Sequence, residues 1–208
     1  MRIGMLGTGS VGQALATRLV ELGHDVCMGS RGSGNENASE WAKTAGAGSS
    51  FGTFADAASF GELLFNCTAG AHSLEALAAA GEDAIAGKVL VDVANPLDFS
   101  QGTLALTVTN TDSLAEQIQR AFPRARVVKA LNTVNYKLMA DPSILETRTT
   151  SSYAETTPRR RRRSLICSPR SAGSGITSST WERLMQRVEW RRTCCSGSGS
   201  PSFPKARS

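Results

Sequence analysis

The opening of the chain constrains its fold more than any other segment, because it reads as a strand, a glycine-rich turn and a helix in immediate succession. Apolar residues from Ile3 to Leu6 run into the sequence GTGSVG at positions 7–12, and a helical pattern follows from Gln13 to Leu22. A second strand is predicted from Asp25 to Gly29. This order of elements sets a helix N-terminus at the end of a parallel strand, which is where α/β proteins hold the pyrophosphate of a dinucleotide.

Each glycine of the turn is predicted to have a separate role. The first permits a tight exit from the strand, the second lets the backbone approach the pyrophosphate, and the third lets the helix lie close to the sheet. The helix adds unpaired N–H groups and the positive end of its dipole. A structural turn without a ligand is the alternative, but the position between a strand and a helix favours binding. The predicted cofactor-binding residues of the turn are Gly7, Thr8, Gly9, Ser10, Val11 and Gly12.

The end of the second strand predicts which nicotinamide nucleotide is bound. NAD enzymes usually place an acid there to accept hydrogen bonds from the ribose hydroxyls. This chain has Ser30 and Arg31 instead, a hydroxyl and a guanidinium that suit a 2′-phosphate. The alternative is an ordinary solvated arginine in a loop. We therefore expect NADP(H) rather than NAD(H).

Strands and helices continue to alternate as far as residue 145, which predicts a parallel, doubly wound sheet of the Rossmann type. Strands are expected at 50–53, 63–67, 88–93 and 126–130. Helices are expected at 36–45, 54–60, 73–80 and 112–122, the last one capped by Thr111 or Asp112. We assign residues 1–145 to one nucleotide-binding domain.

Small and polar residues follow three of these strands. Ligands of such sheets bind beyond the carboxyl ends of the strands, where small residues leave room and amides bond a carboxamide or ribose. Ordinary turn chemistry is an equally good reading of each residue taken singly. The candidates are Thr68, Ala69, Asn95, Pro96 and Asn132.

Composition favours a cytoplasmic protein. No apolar run reaches the ~20 residues that a membrane-spanning helix needs. A signal peptide is not expected either, because Gly7 and Gly9 interrupt the N-terminal apolar stretch and no small-residue cleavage site follows it. Five cysteines without regular spacing predict reduced thiols, with Cys27 and Cys67 in the core. The two histidines lack the spacing of metal ligands, so no metal site is expected.

Five motifs in order give residues 1 to about 143 a resemblance to the NADP oxidoreductases that depend on coenzyme F420, an 8-hydroxy-5-deazaflavin. They are GTGSVG (7–12), MGSR (28–31), FNCTAG (65–70), VLVDVANPLDF (89–99) and VVKALNTVN (127–135). The resemblance implies NADP(H) on the glycine turn, with Ser30 and Arg31 at the 2′-phosphate. It also implies direct hydride transfer between the nicotinamide C4 and the deazaflavin C5. Since the cofactors carry that chemistry, no catalytic residue is nominated.

The last third of the chain has a different composition. Residues 1–146 hold 10 Lys and Arg against 15 Asp and Glu, whereas residues 147–208 hold 13 against 3, including an arginine run at 159–163. No helical or strand period persists there, so residues 146–208 are predicted to be a disordered basic tail. A natural tail for nucleic acid or another acidic partner is one interpretation, and a plain solvated extension is another.

We favour a third interpretation, a frameshift in the coding sequence. Shifted by one base, codons chosen for residues 150–157 spell DVFVCGND, a strand and a turn. Windows at 177–181 and 185–199 give a further strand and an apolar helix in the same frame. In the resembled family this region completes the sheet, helps form the deazaflavin pocket and makes the subunit contact. A homodimer is therefore expected only if the region were intact, and nucleic acid is not an expected partner.

Two classes of function remain open from the sequence. The first is an NADP(H)-dependent reductase of a deazaflavin coenzyme or, failing that, of an imine or carbonyl substrate as in the similar pyrroline-5-carboxylate reductases. The second is a remnant or sensor that binds NADP without turnover. The expected substrates are small molecules, and no membrane partner is expected.

Overall fold

A seven-stranded sheet organises the computed structural model, which describes residues 1–98, 100, 102–141, 144 and 153–155. Its strands and those of a separate hairpin are β1 Arg2–Leu6, β2 Asp25–Ser30, β3 Ser49–Thr53, β4 Leu63–Asn66, β5 Val89–Asp92, β6 Leu97–Asp98, β7 Ala105–Leu106, β8 Arg126–Ala130 and β9 Tyr153–Glu155. The helices are α1 Ser10–Glu21, α2 Glu36–Ala45, α3 Phe54–Phe60, α4 Ser73–Ala80, α5 Glu82–Ile85, α6 Leu114–Ala121 and α7 Tyr136–Ala140, with a 3₁₀ turn at Gly70–His72.

The strand order confirms the predicted Rossmann-type, doubly wound topology. The order across the sheet is β3-β2-β1-β4-β5-β8-β9, and every pair from β3 to β8 is parallel. The chain moves outward in one direction from β1 to β3 and then returns to the other side of β1 at β4. The gap between β1 and β4 is therefore the switch point at which sheets of this kind bind ligands.

Apolar side chains cover both faces of the central strands. β4 and β5 are buried at every residue, as expected for parallel strands with helices on both sides. One core cluster joins Leu64, Leu90 and Val127 of the sheet to Leu77 and Ile118 of the helices. This apolar cluster thus lies below the carboxyl ends of β4, β5 and β8.

The structure corrects the sequence reading of α6. The predicted caps, Thr111 and Asp112, do not cap the helix, which begins at Leu114 with Ser113 as its N-cap. The Ser113 hydroxyl accepts a hydrogen bond from the Glu116 N–H at 3.2 Å. Asp112 instead accepts from Arg120 at 2.7 Å.

Several short elements were not predicted, and several boundaries differ from the predicted ones by one to three residues. The helix of the opening unit begins at Ser10, three residues before the predicted Gln13, so α1 starts inside the glycine turn. The β6–β7 hairpin, α5 and α7 were not predicted, because two to five residues are too few to show a period.

The region predicted to be a basic tail, residues 146–208, enters the described structure at β9. This strand pairs antiparallel with β8, with Ala154 opposite Lys129. At residues 153–155 the structure therefore differs from the predicted disorder. The remaining residues of 146–208, the arginine run and the proposed frameshift windows lie outside the described residues apart from β9.

The described residues also bear on three expectations drawn from composition. None of their helices is long and apolar enough to cross a membrane. Cys27 and Cys67 are free thiols and both are buried, as predicted. No group of three metal-binding side chains occurs in this part of the chain.

The capping correction can be tested by two matched substitutions. We expect Ser113→Ala to lower the free energy of unfolding by about 1 kcal/mol, because it removes the acceptor for the Glu116 N–H. Thr111→Ala, at an exposed residue without a hydrogen-bond partner in the described structure, should change it by less than about 0.5 kcal/mol. Urea denaturation followed by circular dichroism measures both. A larger loss of unfolding free energy for Thr111→Ala than for Ser113→Ala would instead support Thr111 as the cap.

Candidate functional site

The glycine turn is held against the end of β4. Gly7 is buried at φ +119°, and a Cβ there would lie 2.6 Å from the Cys67 carbonyl oxygen. Its N–H donates to the Gly29 carbonyl of β2 at 3.0 Å. Only glycine fits at position 7, because a side chain would be strained at this φ and would clash with backbone atoms.

The two other glycines of the motif have contrasting surroundings. A Cβ on Gly12 would lie 2.3 Å from the Gly7 carbonyl oxygen, so the helix approaches the turn as closely as a backbone permits. A Cβ on Gly9 would meet nothing within 4 Å. Gly9 is therefore not required for packing within the described chain, and its open side is a space that a ligand could approach.

The first turn of α1 offers unpaired N–H groups to that space. Gly9 is the N-cap, no side chain caps the helix, and no acidic residue lies in its first turn. Four other helices do have side-chain caps, supplied by Asn35, Thr53, Ser113 and Asn135. An uncapped start of a twelve-residue helix leaves its dipole and N–H groups available to an anion.

The remaining residues of the turn lie beside the open side of Gly9. Ser10 is exposed and Val11 is half-buried, both in the first turn of the helix. Thr8 is half-buried, and its carbonyl accepts from the Gln13 side chain at 3.0 Å. That bond ties the loop to the fourth residue of α1.

At the end of β2, Ser30 and Arg31 differ in their availability. Arg31 is exposed and has no ion-pair partner in the described part of the chain. Ser30 is buried, and its hydroxyl donates to the Gly32 carbonyl at 2.6 Å. The guanidinium is free to bind an anion, whereas the serine hydroxyl already has an acceptor for its proton.

Asn95 and Asn132 come together, although they belong to loops after different strands. The Asn95 amide donates to the Asn132 carbonyl at 2.8 Å, and the Asn132 amide donates to the Asn95 side-chain oxygen at 3.3 Å. Pro96, half-buried, follows and accepts from the Thr107 N–H at 2.8 Å. The two amides predicted to contact a ligand are thus used, at least in part, to join the loops after β5 and β8.

After β4, Thr68 turns toward the protein while Ala69 remains exposed. The Thr68 hydroxyl lies 2.7 Å from the Asn66 side-chain oxygen and 2.9 Å from the Ser73 hydroxyl. Its polar group therefore shapes the loop, and the Ala69 methyl group is the part of the pair that faces outward.

A buried polar network that the sequence reading missed lies below these loops. Asp92, fully buried, accepts from the Asn66 amide at 2.9 Å and from the Lys129 ammonium at 2.8 Å. The sequence signal was a polar residue at the last or the penultimate position of three strands, and its meaning depends on strand register. Burial raises the pKa of the neighbouring Cys67 thiol, and the charge of Asp92 raises it further, so this thiol stays protonated.

Two surface cavities lie near the carboxyl edge of the sheet, and neither is lined by residues of the glycine turn. One, of about 360 Å³, lies beyond Arg31 between α2 and β3, where Ser33 and Phe51 line it. The other, of about 350 Å³, lies beside the loop after β4 and is lined by Gly70, Leu74 and Val108 among others. Neither cavity contains the uncapped helix end, which is an open surface.

Comparisons with known proteins agree with this geometry. The sequence model of the family described as "NADP oxidoreductase coenzyme F420-dependent" matches residues 2–96. A crystal structure from Arthrobacter sp. FB24, of a candidate F420-dependent NADP reductase, has 37% sequence identity and a TM-score of 0.72. The match covers 91% of this chain and 80% of that one.

Two more distant proteins share the domain or the fold. Metalloreductase STEAP3 of Rattus norvegicus is 36% identical over 147 residues, which are 68% of this chain and 26% of that protein. The chain thus spans about a quarter of the length of this curated relative. A reductive aminase of Aspergillus terreus in complex with NADPH is 22% identical, with a TM-score of 0.50 over 66% of this chain and 42% of that one, and this likeness shows the fold alone.

The contrast between Gly9 and Gly12 predicts opposite effects of one added methyl group. Gly12→Ala should lower the free energy of unfolding by about 2 kcal/mol, because the methyl group would press on the Gly7 carbonyl. Gly9→Ala should change it by less than about 1 kcal/mol, since the methyl group enters open space. Thermal denaturation measures both variants. Equal stability of the two would contradict the close packing described for Gly12.

Proposed function

Since the chain belongs to the family of coenzyme F420-dependent NADP oxidoreductases, we propose that it binds NADP(H) at the carboxyl edge of its sheet and exchanges hydride with a deazaflavin coenzyme. The observation that carries the proposal is the uncapped start of α1 behind the open side of Gly9. The structural and comparative findings support an NADP-dependent oxidoreductase, and the deazaflavin is the more specific part of the proposal.

The pyrophosphate would bind to the first turn of α1. Ser10, Val11 and Gly12 have backbone N–H groups without an acceptor inside the helix. No carboxylate lies in that turn to repel an anion. A Cβ on Gly9 would occupy the space above the turn, so the missing side chain permits close approach of the phosphates.

The 2′-phosphate would be bound chiefly by Arg31. A guanidinium forms two parallel hydrogen bonds with a phosphate, and this one is exposed and forms no ion pair in the described structure. Ser30 would contribute a donated bond only by releasing the Gly32 carbonyl. The preference for NADP(H) over NAD(H) therefore rests on one exposed cation.

The nicotinamide and the deazaflavin supply the hydride chemistry themselves when they are bound. The protein has to hold two rings in contact and exclude water, and it needs no acid or base for the transfer itself. Apolar surface suited to a flat second ring lies near the edge. Leu97, Leu104 and Leu106 of the hairpin region are exposed beside the cavity that Leu74 and Val108 line.

The 2′-phosphate assignment predicts a selective loss of affinity. Arg31→Asp should weaken NADPH binding by more than about tenfold, because it replaces an attractive charge with a repulsive one. NADH lacks the 2′-phosphate, so its affinity should change by less than about twofold. Fluorescence titration of each nucleotide measures this. Lys137→Asp, at another exposed cation, serves as the control variant. Equal affinity of the unaltered chain for NADH and NADPH would remove the role given to Arg31.

Turnover distinguishes the reductase from a chain that only binds the nucleotide. NADPH is titrated first, and oxidised deazaflavin is then added while its absorbance is followed. We expect the deazaflavin absorbance to fall as NADPH is consumed. Saturable NADPH binding without a fall in deazaflavin absorbance would support a protein that binds the nucleotide without catalysis. Absence of nucleotide binding would contradict the enzymatic assignment.

A further inference from the structure

A row of polar side chains crosses the sheet where the strands are otherwise apolar. In the strand register Asn66 is opposite Asp92, and Asp92 is opposite Lys129. Two residues earlier the same face carries Leu64, Leu90 and Val127, all buried in the apolar core. The change from apolar to polar thus occurs at one level on three adjacent strands, at the edge that faces the proposed nucleotide.

We propose that Asp92 and Lys129 are positioning residues that fix the loop after β5 and thereby position the nicotinamide half of the bound nucleotide. The proposal rests on the proposed function and adds a role for two residues that bind no ligand themselves. The pair acts through Ala94, the second residue of that loop. Asp92 accepts a hydrogen bond from the Ala94 N–H, and Lys129 donates one to the Ala94 carbonyl.

The contacts of Ala94 show how the loop is held. Its N–H donates to Asp92 Oδ1 at 3.2 Å, and its carbonyl accepts from Lys129 Nζ. Asp92 Oδ1 also accepts from the Asn66 amide, while Asp92 Oδ2 accepts from Lys129. A shift of the loop would break bonds to a buried carboxylate and to an ammonium that is 18% exposed. Such bonds are costly to lose because both groups are shielded from water.

β8 anchors the same loop a second time. Asn132 follows Lys129 by three residues, and its carbonyl accepts from the Asn95 amide at 2.8 Å. Ala94 and Asn95 are therefore tied to β8 by one side chain within the strand and by one loop residue beyond it. This leaves the loop after β5 little freedom relative to the sheet.

Stability alone is a weak explanation for a buried ion pair. Desolvation offsets much of the attraction between the charges, and apolar replacements of such pairs are often equally stable or more stable. An apolar pair, however, could not bond the N–H and the carbonyl of Ala94. The feature that the charged pair adds is a defined loop position.

The location of the loop connects it to the nicotinamide half. The pyrophosphate would lie at α1, after β1, and the 2′-phosphate of the adenosine half at Arg31, after β2. The other half of the nucleotide would then extend in the opposite direction, across β4 toward β5 and β8. β2 and β8 are four strand spacings apart, about 19 Å. Loosening the β5 loop should therefore leave the adenosine side unaffected.

The test uses the full chain and a double variant, Asp92→Asn with Lys129→Met, which removes both charges and leaves neither one buried alone. Hydrogen–deuterium exchange of the free protein is measured first. We expect peptides covering residues 93–97 to exchange at least about tenfold faster, while those covering residues 8–12 stay within about twofold. Unchanged exchange at 93–97 would overturn the inference without reference to any nucleotide.

The affinities for 2′,5′-ADP and NADPH are then compared by calorimetry. The first ligand carries only the adenosine half with its 2′-phosphate, so we expect its affinity to be unchanged, whereas NADPH should bind about tenfold more weakly. Lys129→Arg, which keeps the charge and the donors, should recover part of the NADPH affinity. Lys137→Met is the control, because that lysine is exposed.

The two proposals fail differently in this experiment. If the unaltered chain binds neither ligand, the proposed function fails and this inference falls with it. If the unaltered chain binds both and the double variant keeps its full NADPH affinity, only the positioning role is wrong. An equal loss for both ligands would also overturn it, since that pattern indicates general damage to the fold. A selective loss of NADPH affinity together with faster exchange at residues 93–97 supports it.

Discussion

The close approach of α1 to the turn that precedes it is the constraint on which the site depends. The backbone at Gly12 lies so near the Gly7 carbonyl that no side chain fits between them. Gly7 is itself held between the β2 end, through Gly29, and the β4 end at Cys67. These contacts fix the direction of the helix start relative to the sheet. Without them the free N–H groups would not face the switch point between β1 and β4, and the dipole of α1 would act on solvent.

Helices with local boundary signals were predicted well from the sequence. α2, α3 and α4 begin and end at the predicted residues. In α3 the Thr53 hydroxyl and the Asp56 carboxylate form a reciprocal capping box, which is a signal contained within four residues. α6 shows the limit of this reasoning. Thr111, Asp112 and Ser113 are all good caps, and the sequence did not show that Ser113 is the one whose hydroxyl accepts from the Glu116 N–H.

For the polar side chains at the carboxyl edge of the sheet, the sequence predicts their location but not their hydrogen-bond partners. It placed Thr68 and Asn95 after strands and Ser30 at the end of one, but it did not show that their hydrogen bonds are made to the protein. The partner of Asn95, the Asn132 carbonyl, is 37 residues away in the sequence, whereas the shortest bonds of Ser30 and Thr68 go to residues two positions away. The Asp92–Lys129 pair joins residues 37 positions apart and became visible only with the strand register. Local patterns therefore predict where an edge lies, and tertiary contacts decide which of its groups remain free.

The ionisable groups beneath the edge are arranged in a way that suits a reaction without proton transfer by the protein. Asp92 and Lys129 neutralise each other, and each is committed to the backbone of the same loop. The Cys67 thiol has its pKa raised by burial and by the nearby carboxylate, so it does not supply a thiolate at neutral pH. Hydride transfer between two bound cofactors requires fixed distances and a dry contact rather than an acid or a base. A network whose charges hold a loop in place is consistent with that requirement.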